Sequence, residues 1–368
     1  MAEFPIYKPN IVRLWRPRTT LGFPRVNGAA GTVVRAPNWL GDTLMAMPAV
    51  YRLRAMAPDD EEISVVCPSA LRPVWEAAAW IDNVIAMDER RLDGSAAAAI
   101  REKQPSLGVV LPNSFGSAWD VRKCGVPVRI GRAGRLRRLL LTHCAPRWRP
   151  AYRYDDFHQL SHYLEVISLV GEVDASAGMP ALTPSVSEER LAYLMPQETR
   201  NRALVIAPGA AFGPAKQWPV EYFHEVARRW SATGGKVYVV GTAKDHELGE
   251  GVLCGLFDGV NLCGKTDLAD LMGVLKQAKC CIANDSGAMH LAAALGPDGI
   301  ALFGSTNPAA TGPLGRGKWV VMYGHADCSP CFSRTCPGCG ETPYTCLKSL
   351  RPGMVHDALS SLLELGAS

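Results

Sequence analysis

The chain has 368 residues, a net charge of +4 and 48% hydrophobic residues, a composition typical of folded globular proteins and long enough for two domains. It contains no run of about 18 uncharged apolar residues, as a transmembrane helix would need. Basic residues also interrupt the first thirty positions, where a secretory leader would need an apolar core. We therefore expect a cytoplasmic protein without a membrane-spanning helix.

Residues 1–30 are basic, rich in proline and without periodicity, which predicts a loosely ordered N-terminal arm. From residue 31 onward, short β-branched segments alternate with amphipathic ones, the pattern of a parallel sheet with helices on both faces. We assign residues 31–185 to an N-terminal domain on this pattern. Its predicted elements are strand 31–36, helix 42–56, strand 62–68, helix 70–79 and strand 106–114.

A stretch with several Pro and Ser residues breaks the alternation, and we assign residues 186–200 as the interdomain linker. The alternation then restarts, which predicts a second domain over 201–350 and a C-terminal helix over 351–368. Two successive doubly wound α/β units are expected, with ligands at the carboxyl ends of the strands. The predicted elements of the second domain are strand 202–210, helix 219–232, strand 235–242, helix 245–256, strand 259–264, helix 267–278, strand 279–284, helix 287–295 and strand 299–306.

The segment "IANDSGAMHLAAALG" (282–296) carries the strongest local signal for a binding site. A strand ends in Asn284–Asp285, turns through Ser286–Gly287 and enters a helix that carries His290. Free backbone N–H groups and the helix dipole make such a helix start an anion site. The alternative is simple capping by Asp285 or Ser286, which would contribute about 1 kcal/mol, but capping does not account for His290.

The loop "PGAAFGPAKQWP" (208–219) follows the first strand of the second domain and has Lys216 as its only charge. A lysine at the mouth of a parallel sheet suits a diphosphate, although a loop lysine can also be simply solvated. The chain has no Asp-x-Asp pair, which sugar transferases that bind their donor through a divalent metal usually need.

Asp42 follows a glycine in "APNWLGDTLMAMPAVYRLR" (36–54), at the start of the first predicted helix. The local residues leave two interpretations open. Asp42 could cap the helix, at about 1 kcal/mol, or it could be a catalytic carboxylate at the carboxyl end of the first strand.

Together, these motifs resemble the ADP-heptose:lipopolysaccharide heptosyltransferases, glycosyltransferase family 9. The resemblance covers about residues 31–365 and includes "GSTNPAATGP" (304–313) in addition to the motifs above. The loop 208–219 and "VVGTAKDHELG" (239–249) resemble the members that add the second heptose. The chain departs from the family in its N-terminal arm and at Ala211, where an acidic residue is expected.

The resemblance implies a GT-B fold, in which two Rossmann-like domains face each other across a cleft. It also implies transfer of heptose, with inversion, from ADP-heptose to heptosyl-Kdo2-lipid A of the lipopolysaccharide inner core. By motif match, Asp42 is the catalytic base. The donor-binding residues would be Lys216, Glu247, Asp285, Ser286, Gly287 and His290. No cofactor is expected for catalysis, because Lys216 and the helix start would meet the charge on the departing ADP.

Residues 121–153 contain ten Lys or Arg residues and no acid. We interpret this stretch as a docking surface for the anionic acceptor and for the anionic inner face of the inner membrane, on which the protein would lie peripherally. A solvated face is the alternative interpretation. No recognisable nucleic-acid motif accompanies the charges, so no nucleic-acid partner is expected. The residues assigned to the acceptor are Arg132, Arg135, Arg137 and Arg138.

Five of the twelve cysteines fall between residues 328 and 346 and form two CxxC pairs. One interpretation is a structural zinc held by Cys328, Cys331, Cys336 and Cys346, with Cys339 as the fifth thiol. Another is a set of reduced or partly disulfide-bonded thiols, because the gap between the pairs is too short for a usual zinc ribbon. An iron–sulfur cluster is the third and least favoured interpretation.

Two kinds of alternative function remain open at this point. Within the family, the chain could be heptosyltransferase I or another core glycosyltransferase. Outside it, the chain could be a saccharide-binding module without activity, or a zinc-dependent nucleic-acid binder. Asp42 together with Lys216 and the "NDSG" motif favours the enzyme.

Overall fold

The computed structural model describes residues 4–12, 15–26, 29–88, 91–134, 136–147, 156–174, 178–338 and 342–364. The chain divides into two units, one made of residues 10–184 and the other of residues 4–9 together with 185–364. Within the described ranges, no helix has the length and apolar character needed to cross a membrane.

The unit made of residues 10–184 contains a six-stranded parallel sheet among its described residues. The strands are β1 (Thr32–Arg35), β2 (Ile63–Pro68), β3 (Asn83–Met87), β4 (Leu107–Val110), β5 (Val128–Arg132) and β6 (His143–Ala145). The helices are α1 (Leu40–Met56), α2 (Arg72–Glu76), α3 (Gly94–Lys103), α4 (Phe115–Lys123) and α5 (Leu160–Ile167). The strand order is β3-β2-β1-β4-β5-β6, which is the order of a Rossmann sheet.

The second unit repeats this plan. Its strands are β7 (Ala203–Ala207), β8 (Lys236–Val239), β9 (Gly259–Asn261), β10 (Cys280–Asn284), β11 (Asp298–Phe303) and β12 (Trp319–Tyr323). Its helices are α6 (Glu188–Leu194), α7 (Gln197–Arg200), α8 (Val220–Ala232), α9 (His246–Leu253), α10 (Leu268–Gln277), α11 (Gly287–Leu295), α12 (Pro308–Thr311), α13 (Thr345–Ser349) and α14 (Pro352–Glu364). The strand order, β12-β11-β10-β7-β8-β9, is again that of a Rossmann sheet.

The central strands β1, β4, β7 and β10 are buried along their whole length. Parallel strands covered on both faces need such continuous apolar runs. Side-chain caps mark the start of several helices, because a carboxylate or hydroxyl there satisfies a free backbone N–H. The capping residues are Asp93 for α3, Ser114 for α4, Asp267 for α10 and Ser286 for α11. The prediction of two doubly wound α/β units is confirmed.

The residues assigned as a linker, 186–200, differ from the prediction. They hold α6 and α7, and they belong to the second unit. Arg190 of α6 bonds Asp270 of α10 at 2.8 Å, and Leu191 and Leu194 are buried. The Pro and Ser residues thus lie next to the ends of two short packed helices.

The described parts of the arm, residues 1–30, also differ from the prediction, because they are held by specific contacts. Ile6 pairs with Val320 of β12, whereas the N–H of Leu21 donates to the carbonyl of Leu169 at 2.9 Å. Arg25 pairs with Asp60 at 2.9 Å. The segment is therefore split between the two units, with residues 4–9 in the second.

Candidate active site

The polar side chains of the second unit gather where β7, β10 and β11 end. These three strands are neighbours in the order β11-β10-β7. Because they are parallel, the loops that follow them leave the same edge of the sheet. These loops are residues 208–219 after β7, 285–286 after β10 and 304–307 after β11.

Asp285 is the centre of this cluster. Its Oδ2 accepts hydrogen bonds from Lys216 Nζ at 2.5 Å and from Thr306 Oγ1 at 2.5 Å. The side chains of Lys216 and Asp285 are only 14% and 5% exposed, so this is a largely buried ion pair. The structure thus brings together three of the sequence motifs, one from each loop.

Asn284 holds the long loop after β7 in place. Its side-chain oxygen accepts from the N–H of Trp218 at 3.0 Å, and its amide nitrogen donates to the carbonyl of Pro208 at 2.7 Å. One fully buried amide therefore fixes both ends of the loop that carries Lys216. The sequence motifs had predicted no role for Asn284 or Thr306, although a polar residue at the end of an apolar strand was a signal for Asn284.

At the start of α11, one residue caps the helix and its neighbour belongs to the candidate binding cluster. Ser286 is the N-cap, and its hydroxyl accepts from the N–H of Met289. Asp285 bonds Lys216 and Thr306 instead, so capping does not explain its carboxylate. α11 ends at Gly296, whose φ of 116° is a conformation that glycine adopts most readily.

His290 lies buried on the first turns of α11, with 4% exposure. Burial lowers its pKa to about 4, the charge of Asp285 opposes this shift, and Lys216 adds to it. The imidazole is therefore neutral at pH 7 and can act only as a neutral donor or acceptor.

Phe212 and Arg334 also flank Lys216. The lysine Nζ lies 5.0 Å from the centroid of the Phe212 ring, and the Arg334 guanidinium lies 5.8 Å from it. Gly213 is tightly packed here, because a Cβ at this position would come within 2.4 Å of the Arg334 carbonyl oxygen. A second cation, Arg334, thus lies over the same aromatic ring as the predicted diphosphate lysine, and the sequence analysis did not identify it.

Glu247 is exposed on the first turn of α9, after the end of β8. The turn before it is fixed by Asp245, which accepts from the N–H of Thr242 at 2.8 Å. Gly209 and Gly241 pack against the side chain of Asp245, where a Cβ would come within 2.6 and 2.8 Å. Asp245 therefore joins the loop after β8 to the loop after β7, and leaves Glu247 free of that structural task.

In the first unit, Asp42 lies inside the first turn of α1. The helix begins at Leu40 and its N-cap residue is Trp39, so Asp42 is not the N-cap. Its Oδ1 accepts from Nε2 of Gln159 at 3.0 Å, and the same amide donates to the hydroxyl of Tyr163 at 2.9 Å. The carboxylate is half-buried and is oriented by a neutral donor.

The arginines assigned to the acceptor do not form one surface. Arg132 is buried, bonding Glu165 at 2.6 Å and the carbonyl of Pro146 at 2.7 Å. Arg137 is 1% exposed and bonds the side-chain oxygen of Asn113 at 3.1 Å. Arg138 is exposed, and Arg135 lies outside the described residues. Arg132 and Arg137 therefore stabilise the fold in this structure and do not present a charge to solvent.

Burial shifts the pKa values of these guanidiniums. It lowers the pKa of Arg137 to about 10 and also lowers that of Arg132, although the Glu165 carboxylate opposes the shift at Arg132. A third arginine at the same sheet edge, Arg35, is fully buried, and burial lowers its pKa to about 10 as well. All three remain cations at neutral pH, so this edge of the sheet carries buried positive charge.

The cysteines assigned to a possible structural zinc lie in the segment that runs from β12 into α13. Cys328, Cys331, Cys336 and Cys346 form no disulfide among the described residues. No three His, Cys, Asp or Glu side chains in the described ranges are grouped so that they could hold a metal ion. Burial raises the pKa of Cys346, and Cys336 Sγ accepts from the N–H of Tyr344 at 3.2 Å. Cys339 lies outside the described residues.

Comparisons with known proteins agree with this architecture. A sequence profile of glycosyltransferase family 9 (heptosyltransferase) matches residues 94–339. Lipopolysaccharide heptosyltransferase 2 of Salmonella typhimurium is 31% identical over 307 residues, which cover 78% of this chain and 87% of that protein. Lipopolysaccharide heptosyltransferase 1 of Pseudomonas aeruginosa is 38% identical, but over only 33% of this chain and 34% of its own.

A solved structure of ADP-heptose lipopolysaccharide heptosyltransferase II from Escherichia coli superposes with a TM-score of 0.74 at 28% identity. The match covers 92% of this chain and 100% of that one. Two Rossmann-like units with this likeness define a glycosyltransferase of the GT-B fold, as the sequence motifs predicted. More specifically, the chain belongs to glycosyltransferase family 9, the heptosyltransferases.

Proposed function

We propose that this enzyme transfers L-glycero-D-manno-heptose from ADP-heptose to heptosyl-Kdo2-lipid A, the inner core of lipopolysaccharide. The observation that carries the proposal is the Lys216–Asp285–Thr306 cluster, placed beside the start of α11 in a chain of family 9. A cation and a set of free N–H groups at one sheet edge suit the diphosphate of a sugar nucleotide.

In the proposed reaction, the acceptor hydroxyl oxygen attacks the anomeric carbon of heptose. The new glycosidic bond forms as the bond from that carbon to the ADP oxygen breaks, with inversion, and Asp42 takes the hydroxyl proton. A positioned carboxylate base contributes typically about 10²–10⁴-fold. Lys216 and the α11 N–H groups stabilise the charge that develops on departing ADP.

The roles of the remaining donor residues follow from their positions. Ser286 and Gly287 lie at the start of α11, and in this proposal the first backbone N–H groups of the helix bind the diphosphate. His290 is a neutral group one turn further along the same helix. Glu247 is exposed on the turn after β8 and is assigned to the ribose of the donor.

The length of the match favours the second heptosyltransferase over the first as the specific activity. The type 2 relative aligns over 78% of this chain, and the type 1 relative over 33%. Release of ADP from ADP-heptose, measured with mono-heptosyl and with heptose-free Kdo2-lipid A, separates the two. We expect turnover only with the mono-heptosyl acceptor, and the reverse preference would assign the type 1 reaction.

No divalent metal is assigned to catalysis, because Lys216 and the α11 start supply the positive charge. Turnover should therefore persist in EDTA, and a loss that Mg²⁺ restores would contradict this part of the proposal.

A structural zinc at the cysteine cluster stays a prediction. Elemental analysis of protein purified without chelator tests it, with one zinc per chain as the supporting result.

We also propose that an anionic membrane surface is a partner of the first unit. Leu136 and Leu139 are 73% and 70% exposed, and the exposed Arg122 and Arg138 lie beside them. Exposed leucines flanked by cations suit the boundary between lipid headgroups and acyl chains. A peripheral location on the inner face of the inner membrane follows from this proposal.

Vesicle flotation tests the membrane partner. We expect the protein to float with phosphatidylglycerol vesicles and not with phosphatidylcholine vesicles, and the Leu136→Ser/Leu139→Ser variant to float less. Phe257→Ser is the matched control, because it removes an exposed apolar side chain from the other unit. Equal flotation of all three proteins, or salt-sensitive binding of RNA without vesicle binding, would contradict the proposal.

A further inference from the structure

The N-terminal residues 4–9 extend the sheet of the second unit. Ile6 forms an antiparallel bridge with Val320, and the N–H of Tyr7 donates to the carbonyl of Trp319 at 2.6 Å. Both partners lie in β12, which is the edge strand of this sheet among the described residues. Phe4 and Ile6 pack against the hydrophobic core of the same unit. The segment therefore covers an edge that would otherwise present free backbone groups.

Tyr7 makes two further contacts, one with α12 and one with Gly312, the C-cap residue of α12. Its hydroxyl donates to the carbonyl of Pro308 at 2.9 Å. Its ring fills the space beside Gly312, where an added Cβ would come within 2.4 Å of the ring. Burial raises the pKa of Tyr7, so the hydroxyl keeps its proton and acts as the donor in this bond.

α12 is joined directly to the candidate active site. It has four residues, and its N-cap, Asn307, immediately follows Thr306. Thr306 donates to Asp285, which accepts from Lys216 through the same oxygen. A helix this short has little stability of its own, so contacts from outside it decide where Thr306 is placed.

We propose that Tyr7 is a positioning residue of the donor site. It fixes α12, α12 fixes Thr306, and Thr306 orients the carboxylate that holds Lys216. The N-terminal residues 4–9 are thereby part of the donor-binding unit. The proposal rests on the proposed function only in taking ADP as the ligand.

Calorimetric titration of the full-length protein with ADP tests this role. Tyr7→Phe keeps the ring beside Gly312 and loses the hydroxyl, and we expect the Kd for ADP to rise about two- to fivefold, because one net hydrogen bond is lost. Tyr7→Ala loses both contacts and should raise the Kd further. Ile6→Ala is the matched control from the same segment. It should lower the melting temperature at least as much as Tyr7→Phe and leave the Kd unchanged.

Hydrogen exchange at the amides of residues 306–312 gives a readout that needs no ligand. Exchange there should be faster in Tyr7→Phe than in the wild type and unchanged in Ile6→Ala. Equal exchange in all three proteins, or an ADP affinity that falls as much in Ile6→Ala as in Tyr7→Phe, would overturn the role of Tyr7. If the wild type bound no ADP, the proposed function would fail, and the exchange rates would still decide this inference.

Discussion

At the carboxyl edge of the second sheet, one buried carboxylate is paired with a lysine, whereas at the same edge of the first sheet three guanidiniums are buried and one of them, Arg132, is paired with the buried carboxylate of Glu165. Asp285 is 4% exposed and accepts from Lys216 and Thr306. Arg132 and Arg137 are 4% and 1% exposed and donate to carbonyl and amide oxygens, and Arg132 also donates to Glu165. The carboxylate of the first unit, Asp42, is only half-buried and accepts from a neutral amide.

This difference indicates which carboxylate is suited to which task. The Oδ2 of Asp285 already accepts from two donors, so it holds Lys216 in place until an anionic ligand competes for the ammonium group. Asp42 is oriented by Gln159 and lies closer to solvent, where an acceptor hydroxyl can reach it. This difference supports the proposal that Asp42 takes the proton and that Asp285 positions Lys216.

Of the substitutions that test this comparison, Asp42→Asn has the largest expected effect on activity. Asp42→Asn keeps the shape of the side chain and removes its basicity, so kcat should fall about 10²–10⁴-fold while the Kd for ADP stays unchanged. ADP release and calorimetry measure the two quantities. Asp285→Asn is the contrasting variant, and it should change the Kd for ADP. Substantial turnover by Asp42→Asn would remove Asp42 from the role of base.

Arg132 tests whether the buried arginines of the first unit are structural. Arg132→Ala leaves Glu165 buried without its guanidinium partner, which typically costs about 3–5 kcal/mol. Urea unfolding should show this loss in the free energy of unfolding. If Arg132→Ala kept full stability and raised the KM for the acceptor instead, the original assignment of Arg132 to acceptor binding would be favoured.

His290 makes the free energy of unfolding depend on pH. Its pKa of about 4 in the folded protein lies below the ordinary value of 6.5, so the unfolded chain binds the proton more readily. The contribution of neutral His290 to the free energy of unfolding is complete above pH 6.5 and is lost as the pH falls toward 4. The free energy of unfolding should decrease by about 2 kcal/mol from pH 7.5 to pH 5. His290→Gln should remove this part of the pH dependence, and an identical profile in the variant would contradict it.

Of these substitutions, Arg138→Ala has the smallest expected effect. It is exposed, so Arg138→Ala should change the free energy of unfolding by less than about 0.5 kcal/mol. Loss of this exposed cation should raise the KM for heptosyl-Kdo2-lipid A a few-fold, more so at low salt. Arg316→Ala, an exposed arginine of the second unit, is the control and should leave this KM unchanged. An unchanged KM in Arg138→Ala would leave this arginine a solvated charge.

Sequence patterns predicted the strands in the middle of both sheets, but they missed the edge strands β3, β6 and β12 and the charged strand β5. Strands β1, β7 and β10 read as β-branched or apolar runs and were predicted. β5 has the sequence "VRIGR" and was interpreted as part of a basic surface, because its arginines hide the apolar alternation. The linker was placed over two short helices because Pro184 and Pro196 look the same beside a helix as inside a loop.

The sequence by itself determined the two α/β units, the family and the candidate residues Asp42, Lys216 and Asp285, since these depend on local patterns and ordered motifs. The tertiary structure alone decided that Lys216 and Thr306 share one oxygen of Asp285, that Arg132 is buried against Glu165 and that Tyr7 reaches α12. These contacts join residues far apart in the chain. Their partners are set by which strands lie side by side, and no local pattern records that adjacency.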